Sequence, residues 1–126
     1  MIKVEETSGI PIYLQVVTGM KKDILGGVFG PDDRLPSIRD LALELKVNPN
    51  TVAKAYQEME AQGVIYFKRG QGAFVAPRTE EDRMQEAKEA ISKLLSEVLE
   101  IAKSLNIGHE EVQALLHEQM KRRKSK

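Results

Sequence analysis

Apolar positions recur three and four residues apart through most of this chain, and glycine, proline or asparagine stands wherever that rhythm breaks. After Pro11, the apolar residues Tyr13, Val16, Val17, Met20 and Ile24 predict a helix with one buried stripe that ends at Gly26-Gly27. The stretch GPDDRLPS, dense in proline, aspartate and glycine, predicts a loop. Ser37 stands three residues ahead of Asp40 as the N-cap of a short second helix, whose apolar face is Ile38, Leu41, Ala42 and Leu45. Only Lys46 to Asn48 separate it from a third helix. There Asn48 can accept a hydrogen bond from a first-turn N–H, and Pro49 has no N–H to leave unpaired. Val52, Ala55, Tyr56 and Met59 make the buried stripe of this third helix, which leaves Asn50, Lys54, Gln57 and Ala61 on the opposite side. Gly63 suits a left-handed C-cap, and VIYF and AFVA then read as two short strands joined by KRGQG.

Beyond Pro77 the composition turns to Glu, Lys, Leu and Ala. TEEDRMQ opens a helix with acidic residues in its first turn, and Met84, Ala87, Ile91, Leu94, Val98, Ile101 and Leu105 continue it as an unbroken heptad seam. Leu95, Leu99 and Ala102 widen the second half of the stripe. Asn106 to Gly108 predicts a turn, and a last helix follows with Val112, Leu115, Leu116 and Met120 inward; the tail KRRKSK is expected to be disordered. The fold class expected is α+β, mostly α. A winged helix-turn-helix occupies residues 1–78, and a short C-terminal helical dimerisation region, two helices with a basic tail, occupies 79–126. The seam spans roughly 33 Å at the helical rise per residue. Uncovered, it would expose more apolar surface than a soluble monomer tolerates, so Met84, Ile91, Leu94, Val98, Ile101 and Leu105 are expected to meet a second copy in a homodimer.

Composition narrows the function by exclusion. The chain has 126 residues and no cysteine, so neither a disulfide framework nor a thiolate metal site is available. No apolar run is long enough to span a membrane and the N-terminus lacks the pattern of a signal peptide, so a soluble cytoplasmic protein with no membrane partner is expected. His109 and His117 lie eight residues apart on one helix, about 12 Å along its axis, too far to share a metal. No phosphate-binding glycine loop, nucleophile elbow or clustered acid pair is present. Neither catalytic residues, nor a metal, nor a cofactor is therefore expected. Net charge is zero, from 19 basic and 19 acidic residues, and residues 1–78 hold ten basic and nine acidic side chains for a net of +1. Nucleic-acid binding, if it is the function, must come from local placement of charge.

That placement is present. In a helix-turn-helix the second helix lies in the major groove with its N-terminal residues at base edges, which here are Asn50, Thr51 and Lys54. An Asn amide pairs with adenine, Thr reaches a thymine methyl, and Lys reaches guanine or a phosphate. Arg39, second in the bracing helix, is either a phosphate or guanine contact or a solvated charge beside Asp40 and Glu44. Ser37 is a helix cap first and a phosphate contact second. In KRGQG, Gly70 and Gly72 allow positive φ and close backbone approach, while Lys68 and Arg69 set two cations at the hairpin tip, suited to a phosphate or an adjacent minor groove.

Over residues 10–77, LPSIRDLA, NPNTVAKAYQEMEAQG and RGQGAFV together resemble the DNA-binding domain of the GntR family of bacterial transcription regulators. The small helical C-terminal region is similar to that of the YtrA-like short branch. The resemblance implies that Arg39, Asn50, Thr51 and the glycine tip touch DNA, and that the C-terminal helices join a homodimer, usually of a repressor. Relatives outside this branch often carry arginine at the positions of Pro49 and Ala53, so their base preference does not transfer. The expected partners are thus a palindromic double-stranded DNA operator, a second copy of the chain, and an unknown small-molecule effector seated between the domains or at the dimer seam. The alternative is a winged-helix protein-protein interaction module without specific DNA binding.

Overall fold

A computed structural model describes residues 2–124. In chain order it contains α1 (Ile12–Leu25), α2 (Ile38–Leu45), α3 (Pro49–Ala61), β1 (Ile65–Lys68), β2 (Gly72–Val75), α4 (Glu80–Ser104) and α5 (His109–Lys124). The order is that of a winged helix-turn-helix followed by a helical hairpin, mostly helical with one small sheet, as the periodicity predicts. The chain divides into two compact units, Met1–Met84 and Gln85–Lys126, so the division falls inside α4 and later than the boundary after residue 78 expected from composition.

In the first unit the predicted stripes converge on one core. Val16, Val17, Met20 and Ile24 of α1, Leu41 and Ala42 of α2, and Val52, Ala55, Tyr56 and Met59 of α3 are buried, closed below by Ile65, Ala73 and Val75 of the hairpin. Tyr13, Ile38 and Leu45 pack at the margin of this core. Burying each Val, Leu, Ile or Met side chain of this core contributes roughly 1.5–3 kcal/mol, before the entropy of ordering it is subtracted. Pro11 is the N-cap of α1 and lies just outside the first helical position, with extended ψ of 141°.

The helix ends follow one device. At α1, α2, α3 and α4 the residue past the last turn is left-handed: Gly27, Lys46, Gly63 and Asn106 have φ of 84°, 58°, 75° and 59°. In each case the next N–H reaches back to a carbonyl inside the helix, as in Val64 N–H to Met59 O at 2.9 Å and Ile107 N–H to Ala102 O at 2.8 Å. Glycine fills this position without steric penalty at residue 63, while Lys46 takes it up at the expense of Cβ crowding.

Three features of this unit leave no periodic trace. The Gln15 amide ties the N-terminal segment to α1: its oxygen accepts from Glu5 N–H at 2.8 Å, and its nitrogen donates to the carbonyls of Glu5 and Ile10 at 3.0 and 2.9 Å. Ile2 lies so close over Gly19 that a Cβ there would stand 2.8 Å from its side chain. Segment 32–35, expected as loop, pairs with the outer edge of β2 through Asp32 N–H to Val75 O, Val75 N–H to Asp33 O and Leu35 N–H to Ala73 O, each at 2.9 Å. At the other end, the first turn of α4 is capped by Thr79, whose hydroxyl accepts from Asp82 N–H at 3.0 Å, and Arg83 donates to Leu25 O at 2.6 Å while its guanidinium grips Glu80.

The second unit is a helical hairpin around Asn106, in which only Ala102 is buried among the described residues. Here two expectations need correction. Leu115, Leu116 and Met120, expected to point inward, are exposed, and only Val112 is half-buried. A pair of helices meets along one narrow seam, so stripes as wide as these cannot both be covered within one chain. The basic tail is also more ordered than expected: Lys121 to Lys124 continue α5, where four cations sit at the negative end of the helix dipole. Ser125 and Lys126 lie outside the described residues.

Candidate nucleic-acid interface

The helix-turn-helix is built by two caps and one strained turn. The Ser37 hydroxyl accepts from Asp40 N–H at 3.0 Å and starts α2, which makes the cap its role within the fold. Lys46, left-handed, ends α2, and Val47 N–H returns to Ala42 O at 3.0 Å. Asn48 then restarts the chain, its side-chain oxygen accepting from Asn50 N–H at 2.7 Å with Pro49 at the first helical position. Asn50, Lys54 and Gln57 are exposed along the outer side of α3, while Thr51 is half-buried and offers only part of its side chain. Arg39 is exposed on α2.

Tyr56 holds this helix in place. Its ring is buried in the core and its hydroxyl donates to Pro36 O at 2.6 Å, which binds α3 to the segment leading into α2. Burial pushes the hydroxyl well above the usual tyrosine pKa. The same ring lies 6.5 Å from Phe67 of β1, so one side chain touches both the helix-turn-helix and the hairpin.

The hairpin is antiparallel, with Ile65 opposite Val75 and Lys68 opposite Gly72, and Arg69, Gly70 and Gln71 form its tip. Gly70 and Gly72 have φ of 76° and 102°, the positive values expected there. Lys68 and Arg69 are exposed. The Lys68 ammonium lies 4.8 Å from the Phe74 ring centroid, and Phe74 stacks on Tyr66 at 5.7 Å. The Tyr66 hydroxyl donates to Asp32 at 2.7 Å, and that carboxylate raises the tyrosine pKa.

Arg34 joins this group without having been singled out in the sequence. It bridges to Phe74 on the far edge of β2, and its guanidinium atoms lie 3.7 and 3.8 Å from where a Cβ on Gly72 would stand. The only sequence signal was an arginine among turn residues, and pairing with β2 gives it its place beside the hairpin tip. Tyr13, read in the sequence only as part of the buried stripe of α1, also reaches this surface: Lys54 Nζ lies 4.1 Å from the centroid of its ring. Among the described residues, none of Arg34, Arg39, Lys54, Lys68 and Arg69 is engaged in an ion pair, so their charge is free for an external anion.

Met84, Ile91, Leu94, Val98, Ile101 and Leu105 are between 44% and 66% exposed. In the second unit, Leu95, Val98, Leu105, Leu115 and Leu116 line an open groove of about 350 Å³ between α4 and α5. Among the described residues no cluster of side chains could hold a metal ion, and no helix is long and apolar enough to cross a membrane.

Comparison with known proteins agrees with this geometry. Residues 12–75 match the model for bacterial regulatory proteins of the gntR family. The HTH-type transcriptional repressor YtrA of Bacillus subtilis (strain 168) is 39% identical over 99 residues, which cover 75% of this chain and 76% of the relative. A GntR family transcriptional regulator from Listeria monocytogenes superposes with a TM-score of 0.79 at 31% identity, over 90% of this chain and 97% of that one. The DNA-binding domain of AraR, solved in complex with operator ORX1, matches 60% of this chain and 96% of its own length with a TM-score of 0.55 and 29% identity.

Proposed function

The chain belongs to the gntR family of bacterial regulatory proteins and is a DNA-binding transcriptional regulator; from that premise we propose that it represses transcription by binding a palindromic operator as a homodimer. The observation that carries this reading is the cationic and amide surface on the exposed side of α3 and at the hairpin. Asn50 and Lys54 stand on the outer side of α3, and Arg34, Lys68 and Arg69 gather at the hairpin. Asn50 and Thr51 read base edges in the major groove, Arg39 and Ser37 lie against the flanking backbone, and Lys68, Arg69, Gly70 and Gly72 enter the adjacent minor groove or grip its phosphates. Arg34 adds a cation at the base of this wing.

The homodimer is supported by the exposed seam. Leu94, Ile101 and Leu105 are each about three-fifths exposed, far more apolar surface on one helix than scattered surface residues account for. A second copy laid along α4 covers it, and two-fold symmetry then sets half-sites about one helical turn, roughly 34–36 Å, apart. Its place of action is the cytoplasm, where bacterial DNA lies.

Selection of bound fragments from a pool of random duplexes tests the reading, followed by mobility shifts across a salt series. The expected result is an inverted repeat whose affinity falls on the order of 10³-fold or more between 50 and 200 mM salt, as six to ten phosphate contacts require. Absence of duplex binding even at low salt would refute repression and favour the docking-module alternative.

A further inference from the structure

Tyr13 lies in the first turn of α1, where a residue with a half-buried ring reads as packing, and Lys54 lies on the exposed side of α3. The fold places the Lys54 ammonium 4.1 Å from the centroid of the Tyr13 ring. That is well inside the distance at which a ring quadrupole attracts a cation. The lysine forms no ion pair among the described residues, so the ring is what restrains its head group. A free lysine on a helix surface samples many rotamers and must give them up on binding, whereas one already resting on a ring gives up fewer. An ammonium stacked on one side still has donors on its open side for an anion.

Resting on the proposed DNA-binding role of α3, we infer that Tyr13 is a positioning residue that pre-orders Lys54 for contact with the operator. The Tyr13 ring acts through Lys54 and not through the bases. Its contribution is bounded by an exposed cation–π contact, so its loss weakens operator binding about two- to fivefold. Phenylalanine, which keeps the ring face, restores what an aliphatic side chain removes.

The test uses the full chain and the duplex recovered from the random pool. In DNA-free protein the Lys54 ε-methylene protons are measured by NMR in the wild type, Tyr13→Phe and Tyr13→Leu. Upfield ring-current shifts in the first two and their loss in the third are expected. Operator affinity is then measured for both Tyr13 variants, for Lys54→Met, and for Tyr13→Leu combined with Lys54→Met. Weaker binding in Tyr13→Leu, recovery in Tyr13→Phe, and no further loss from Tyr13→Leu once Lys54 is methionine support the inference. Equal losses from Tyr13→Leu in both backgrounds would show that the ring acts by packing alone and would overturn it. Wild-type affinity in Lys54→Met would overturn it too, while leaving the DNA-binding reading standing on the wild type's own affinity. If the wild type recovers no duplex at all, the proposed function fails and the inference fails with it, whatever the NMR shifts show.

Discussion

Removing one oxygen from Tyr56 tests how firmly α3 is held. Tyr56→Phe keeps the buried ring, so it opens no cavity, but it deletes the hydroxyl that donates to Pro36 O at 2.6 Å. A net hydrogen bond contributes about 0.5–1.5 kcal/mol, and the partly buried Pro36 carbonyl loses its partner, so about 1–2 kcal/mol of stability should go. For a unit of this size that lowers the melting temperature by about 4–8 °C per kcal/mol. The effect also carries a pH signature. Burial raises the Tyr56 pKa in the folded protein above its unfolded value, so the folded state holds the proton more tightly. This stabilisation is complete below about pH 10, the unfolded pKa, and disappears as pH rises through that value toward the folded one, at about 1.4 kcal/mol per unit. Thermal or urea unfolding of both proteins between pH 8 and 11 should therefore show the advantage of the wild type constant to near pH 10 and shrinking above it. A gap that stays constant to pH 11, or no gap at pH 8, would refute the buried, donating hydroxyl.

Other consequences can be checked directly. Leu94→Asp places a charge on the exposed seam of α4 and should shift the protein from dimer to monomer in sedimentation equilibrium, with loss of binding to the palindrome well beyond tenfold; an unchanged dimer would mean that this face is not the interface. Asn50→Ala should reduce discrimination between selected and random duplex by about 1–3 kcal/mol, whereas Arg69→Ala should weaken both evenly, as competition mobility shifts would report. Gly63→Ala meets no atom within 4 Å but sits at φ +75°, so about 1–2 kcal/mol of backbone strain should appear in chemical unfolding without change in the denaturant slope.

Much of the interface was legible before any coordinates. Asn48, Pro49 and Ser37 announce helix starts, because capping is chemistry between residues two or three apart, and the structure shows the cap bonds of Asn48 and Ser37. Gly63, Gly70 and Gly72 announce positive φ for an equally local reason. The four buried positions of α3 follow from helical periodicity alone. Features without a local chemical cause leave no sign in the sequence. Lys46 takes a left-handed cap that its residue type does not advertise, and the α5 stripe lies open where a covered one was expected.

By itself the sequence determined the order of elements, the N-caps of α2 and α3, and which side of α3 stays exposed, since each depends on neighbours within a turn or two. Tertiary structure decided the rest of the site, through contacts whose partners are far apart in the chain. Tyr56 meets Pro36 across 20 residues, Arg34 reaches the wing only because its segment pairs with β2, and Lys54 meets Tyr13 only because α1 and α3 pack together. Periodicity says which face of a helix is buried, but not which side chain of a distant element stands opposite it, because that depends on how packed surfaces interlock.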